Sequence, residues 1–182
     1  PSSRYRASRV VRKSIAEARG EVAELIGARE EEIVFTGCGT ESNNMVLKSL
    51  ARVFGRKTSR VITGEIEHSA VLRPCQAMED VGFEVHRCGV DAEGRLRVDQ
   101  FREACEGAET GFASVMWANN EVGTVQPVAE CVAAASGFGV PVHADAVPLP
   151  GTRLREACMT FIGVDVGRLD TEVSCPRVYA RG

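Results

Sequence analysis

The chain has 182 residues, of which 44% are hydrophobic, and a formal net charge of −3. That length suits one domain with a real core, and the charge leaves no basic excess for a nucleic-acid surface. No run of the sequence approaches the roughly 18 apolar residues that a membrane span needs, so no membrane partner is expected.

The first residues carry Arg4, Arg6, Arg9 and Arg12, read as a solvated helix face. Val10, Val11, Ile15, Val22, Leu25 and Ile26 recur at three- and four-residue steps and predict an amphipathic helix over 8–27. Ile33 to Thr36 reads as a short strand. Gly37-Cys38-Gly39 follows as a turn in which both glycines are expected to take positive φ. Thr40 is the expected N-cap of a helix over 41–54. Arg60 to Thr63 predicts a second strand, and Ser69 is the expected cap of a helix running to about Val81. Phe83 to Cys88 alternates like a half-buried strand, Asp91 to Gly94 is a turn, and Val98 to Cys105 a short helix. Phe112 to Trp117 is an apolar strand. Pro127 suits the first position of a helix over 128–136, and Val140 to Ala144 makes a further strand. Beyond residue 147, Pro148 and Pro150 break regular structure, and 152–182 has no clear period. Val164 to Val166 and Arg177 to Ala180 are the strand candidates there.

Strands separated by helices predict a three-layer αβα domain with a mostly parallel sheet. Residues 1–147 are expected to form its core, incomplete at both ends, with 148–182 as a divergent tail of the same domain. The chain opens with Pro1 rather than Met, so the native N-terminus is expected upstream, or removed. Cys38, Cys75, Cys88, Cys105, Cys131, Cys158 and Cys175 are odd in number and never spaced as CxxC. Free thiols in a reducing compartment are expected, with neither disulfides nor a metal site. That compartment is the cytoplasm, or an organelle matrix had a targeting segment preceded this chain.

In a parallel sheet, ligands sit beyond the carboxyl ends of the strands. Four loops fall there: 37–40, 65–69, 118–123 and 145–151. The first joins a strand to a helix N-terminus through glycines, which makes an anion site. His68 is by itself an ordinary loop residue, although an imidazole suits proton transfer. Asn119-Asn120 before Gly123 is by itself a turn. Asp145 at a strand end is either a helix cap or a functional acid. Together, an anion site, an imidazole, an amide and a carboxylate could hold pyridoxal phosphate, whose protonated ring is an electron sink.

The segments Pro1-Ser2-Ser3, Phe35-Thr36-Gly37-Cys38-Gly39-Thr40-Glu41-Ser42-Asn43-Asn44, Ile66-Glu67-His68, Ala118 to Pro127 and Val142 to Ala146 stand in one order. In that order and spacing the chain resembles the cysteine desulfurase and selenocysteine lyase family, class V aminotransferases of the type I pyridoxal phosphate fold. The resemblance implies that Gly39 and Thr40 hold the cofactor phosphate. It implies that His68 stacks on the ring and moves protons, that Asn120 bonds near the ring hydroxyl, and that Asp145 pairs with the pyridine nitrogen. It further implies removal of sulfur or selenium from cysteine or selenocysteine to give alanine, a homodimer, and room for a sulfur-acceptor protein.

The chain departs from that family at two places. Pro148 stands where the family has a glutamine three residues after the aspartate. The lysine that holds the cofactor covalently has no counterpart either, since Lys13, Lys48 and Lys57 all precede the second strand and read as solvated residues. Arg168 cannot replace it, because a guanidinium stays protonated. Cys38 is the cysteine nearest the turn, but a small residue is all the turn requires. Three readings follow: a desulfurase-like enzyme chain; a lysine-less relative that binds the cofactor non-covalently or serves as a scaffold; and a plain phosphate- or nucleotide-binding α/β module.

Overall fold

The computed structural model describes residues 6–55, 60–107, 110–146, 161–164 and 177–181, the last two segments by backbone alone. Pro1 to Ser3, Lys57, Pro148, Cys158, Arg168 and Cys175 lie outside them. In chain order the elements are α1 (Arg6–Ile26), β1 (Val34–Thr36), α2 (Gly39–Phe54), β2 (Arg60–Gly64), α3 (Ser69–Glu79) and β3 (Glu84–Cys88). They continue as α4 (Val98–Cys105), β4 (Thr110–Met116), α5 (Val128–Ser136), β5 (Val142–Asp145), β6 (Phe161–Val164) and β7 (Arg177–Arg181). A 3-10 turn, Glu30–Glu32, leads into β1.

The seven strands form one sheet in the order β1-β7-β6-β5-β4-β2-β3. β7 runs antiparallel to both its neighbours, and the other pairings are parallel. β1 therefore points the same way as β2 to β6, and the carboxyl ends of β1, β2, β4 and β5 share one edge. From β2 the chain first moves outward to β3, then returns past β2 to β4 and on to β5. The direction of winding thus reverses between β2 and β4, where open α/β sheets leave a crevice for ligands.

Alternation along the strands builds the layers. Val61 and Phe112 face α2 and α3, packing on Val46, Leu47, Leu50, Val71, Cys75 and Met78. Their neighbours Ile62, Ala113 and Val115 face the other way, into a cluster with residues of α1, α4 and α5 such as Ile26, Phe101 and Cys131. That is the period-2 pattern of a sheet buried on both faces. Phe101, Phe112 and Leu47 are fully buried, each contributing about 1.5–3 kcal/mol by leaving water.

Several boundaries differ from the sequence reading, for local reasons. α2 starts at Gly39, and its N-cap is Cys38, whose Sγ accepts from the Glu41 N–H at 3.4 Å. Thr40 is the second helical residue, not the cap. α3 is capped by His68, not Ser69, because the imidazole Nδ1 accepts from the Ala70 N–H at 3.1 Å. Pro127 is the N-cap of α5 rather than its first residue. Gly37 and Gly39 are not among the glycines with positive φ. Gly37 is small for another reason: a Cβ there would lie 2.9 Å from Glu41 Oε2, which accepts from the Gly37 N–H at 2.6 Å. The strand expected at Val164 to Val166 lies earlier, as β6, and residues 165–166 are outside the described segments. α1 has the predicted helix, with Arg9 and Arg12 exposed and Arg4 outside the described residues, but its apolar stripe is covered only near its end. Ala23 and Ile26 are buried, whereas Val10, Val11 and Ile15 are 63%, 49% and 40% exposed.

Candidate functional site

A buried polar row crosses the sheet near its carboxyl edge. Thr63, Ser114 and His143 stand in register on β2, β4 and β5, and Ser114 Oγ lies 2.9 Å from His143 Nδ1. Burial pushes the His143 imidazole down to about 3, so it is neutral at physiological pH. Two residues further along, Met116 is the register partner of Asp145.

Asp145 ends β5 and is 4% exposed. Asn43, on the second turn of α2 and itself buried, donates from Nδ2 to Asp145 Oδ2 at 2.7 Å. This bond ties the helix that begins at the glycine turn to the strand that carries the acid. Asn43 Oδ1 has no partner among the described residues. At the start of α2, the N–H groups of Gly39 and Thr40 have no carbonyl in a preceding helical turn to bond. Gly39 is buried, Thr40 exposed. Thr36 Oγ1 braces the turn against Ser42 Oγ at 2.6 Å.

Two clefts flank the N-terminus of α3 and share Ser69 as a common wall. One, of about 460 Å³, is lined by Glu67, His68, Met116, Asn119 and Asn120. The other, of about 440 Å³, is lined by Thr40, Asn44, Lys48 and Arg73. The structure thus brings His68 and Asn120 to one cleft and Thr40 to the adjoining one. Lys48 is exposed, as expected, yet it shares the cleft of Thr40. Lys13 is exposed on α1 and lies 3.5 Å from Glu17.

The paired asparagines divide their work. Asn119 is buried, accepts from the N–H groups of Glu121 (2.8 Å) and Val122 (3.1 Å), and donates to the Ile66 carbonyl at 3.0 Å. It builds its turn and fastens it to the 65–69 loop. Asn120 is exposed to the cleft and free of that duty. His68 is also exposed. Its Nδ1 is committed to the α3 cap, so the neutral ring carries its proton on Nε2, the nitrogen left for a ligand.

Sequence reasoning assigned no role to Asn43 or Glu67, although both stand inside the quoted motifs. Glu67 is 5% exposed; its Oε1 accepts from the Met116 N–H at 2.6 Å, and Oε2 has no partner among the described residues. Burial, and then the charge of Asp145, hold its carboxyl well above the usual range, the Met116 bond acting in the opposite sense. The described thiols other than Cys38 are buried. Desolvation pushes Cys75, Cys88 and Cys131 up to about 12 and Cys105 to about 11, so none is a nucleophile at neutral pH. Among the described residues no group of His, Cys, Asp and Glu could hold a metal ion, and no helix is long and apolar enough to cross a membrane.

The fold and these strand ends define an α/β protein with a helix N-terminus tied to a buried carboxylate at the carboxyl edge of its sheet. Residues 2–154 match the model of the aminotransferase class-V family, and the chain belongs to that family. It is 42% identical over 151 residues to the cysteine desulfurase IscS of Dictyoglomus turgidum, an alignment that covers 83% of this chain and 38% of that protein. Among solved structures it is similar to a NifS-like protein (TM-score 0.88, 28% identity) over 98% of this chain and 50% of the other. It is similar also to SspA in complex with cysteine (TM-score 0.84, 28% identity), over 100% and 52%. The chain therefore spans less than two fifths of that curated relative and about half of each solved chain.

Proposed function

We propose that this chain is the cofactor-holding part of a cysteine desulfurase-type protein and that it binds pyridoxal phosphate reversibly. The observation that carries the reading is Asp145, a buried carboxylate at a strand end, held by an amide from the helix that begins at Gly39. A carboxylate buried at the carboxyl end of a parallel strand stands where open α/β sheets bind their ligands, and buried charge suits a partner of opposite charge. A protonated pyridine nitrogen is such a partner. The first N–H groups of α2, on Gly39 and Thr40, suit a phosphate. The residues fit non-covalent holding: residues 147–182, where the family's lysine would stand, contain no lysine, and Lys48 lines the cleft of Thr40 rather than that of His68 and Asn120.

In this reading Asp145 pairs with the ring nitrogen, and Asn43 keeps the carboxylate aimed. Gly39 and Thr40 take the phosphate, His68 covers the ring face, and Asn120 reaches the ring hydroxyl. Because Nδ1 of His68 is occupied, a proton is held or moved at Nε2. Bound pyridoxal phosphate supplies an electron sink for carbanion chemistry on an amino acid. The substrate class is cysteine, by likeness to the desulfurases and to the SspA structure with cysteine, and sulfur passes to an acceptor while alanine remains. A homodimer is the proposed assembly.

Incubating the 182-residue chain with pyridoxal phosphate, reducing with borohydride and weighing the protein tests the reading. Saturable binding by equilibrium dialysis with no mass gain is expected. No binding, or equal competition from unrelated nucleotides, would instead favour a plain phosphate-binding module.

A further inference from the structure

β2 ends at Gly64, and its last pairing with β4 is Thr63 with Ser114. Met116 lies two residues beyond, where its N–H has lost a strand neighbour on that side. Glu67 Oε1 supplies the missing acceptor at 2.6 Å. The carboxyl reaches this place because Gly64 leaves room: a Cβ at Gly64 would lie 3.2 Å from the same oxygen. The backbone of the 65–69 loop is held from its other side by Asn119, through the Ile66 carbonyl. The loop is thereby tied at two consecutive residues, Ile66 and Glu67, immediately before His68. Meanwhile Glu67 lines the His68 cleft, and its Oε2, buried, is left without a partner among the described residues.

We propose that Glu67 is a positioning residue: its carboxyl extends the β2–β4 pairing by one hydrogen bond and locks the loop that aims His68, with Oε2 kept as a second, buried hydrogen-bonding atom. Burial and the neighbouring charge of Asp145 favour the protonated acid, so Oε2 is a donor. Asp145 is then left as the sole anion of the pair at these strand ends. An ionised Glu67 would set a second buried negative charge near Asp145, which both desolvation and like-charge repulsion disfavour. The role of His68 invoked here rests on the function proposed above, but the state of Glu67 does not.

Two variants separate the roles. Glu67→Gln keeps one acceptor and one donor without a charge; Glu67→Leu keeps only bulk. Infrared difference spectra of the 182-residue chain against E67Q at neutral pH are expected to show the carbonyl band of a protonated carboxylic acid. Nitrogen-15 spectra are expected to show His68, identified by its loss in His68→Asn, as the Nε2–H tautomer in the parent and in E67Q. In E67L that signature should broaden or shift, and pyridoxal phosphate should bind about tenfold more weakly, against less than about twofold in E67Q. A missing carbonyl band, or an E67Q chain that loses the His68 signature, overturns the proposal. If E67L does not fold, the E67Q spectra decide alone. Neither spectrum needs bound cofactor, so a chain that passes both yet binds no pyridoxal phosphate contradicts the proposed function and leaves this inference standing.

Discussion

His68 serves two masters at the scale of a single residue. Its Nδ1 closes the first turn of α3, and the residue also lines the cleft shared with Asn120. Asparagine is a good N-cap and alanine a poor one. His68→Ala should therefore lower stability by about 1 kcal/mol in urea unfolding, while His68→Asn should unfold like the parent. Both should lose pyridoxal phosphate affinity, since neither has a ring to stack. If H68N kept full affinity, the stacking role would be wrong. Asn43 makes a complementary case. Its amide donates to Oδ2 of Asp145, which is 4% exposed. A hydrogen bond to a charged group contributes about 1.5–3 kcal/mol, so Asn43→Ala should destabilise the chain by that order in the same assay. A change within a few tenths would mean that water replaces the amide freely.

At the scale of elements, the carboxyl ends of β2, β4 and β5 set a pH dependence through two buried groups. Glu67 has its folded value raised above the ordinary 4.5. As pH rises past 4.5 the unfolded chain gives up that proton and the folded chain keeps it, so stability is full below 4.5 and falls as pH climbs. His143 is lowered from 6.5 to about 3. As pH falls below 6.5 the unfolded chain gains a proton that the folded chain refuses, so stability falls toward pH 3. Above 4.5 the two slopes oppose until the His143 contribution levels off past 6.5. Melting curves of Glu67→Gln should thus gain on the parent as pH rises above 4.5, by at most about 1.4 kcal/mol per pH unit. A pH-independent gap would show that Glu67 ionises normally. How far these elements were legible varies with the signal. α4 and α5 have the boundaries read from their apolar periods, because period and turn residues agree there. The caps were misread because cysteine and histidine are uncommon N-caps, and only the folded geometry shows their side chains turned onto the helix. Gly39, Thr40, His68, Asn120 and Asp145 could be named from motifs. Asn43 with Asp145 and Glu67 with Met116 could not, because those bonds span 102 and 49 residues and leave no period in the sequence.

For the whole molecule, α1 presents Val10, Val11 and Ile15 to solvent along one stripe, with Phe138 on the end of α5 also exposed. Exposed apolar stripes of this kind mark contact surfaces or drive association, in keeping with the proposed homodimer. Light scattering on the 182-residue chain should report a dimer or larger assembly, and a monomer that persists at high concentration would count against it. The central claim remains that the sheet edge between the start of α2 and the end of β5 holds pyridoxal phosphate through Asp145. An absorption titration of the parent chain and of Asp145→Asn tests it most directly. The substitution keeps the side-chain shape and a hydrogen-bonding oxygen but removes the charge that faces the ring nitrogen. The parent should bind saturably, and the variant at least about tenfold more weakly, the equivalent of one desolvated charge interaction. Equal affinities for the two proteins would contradict the account.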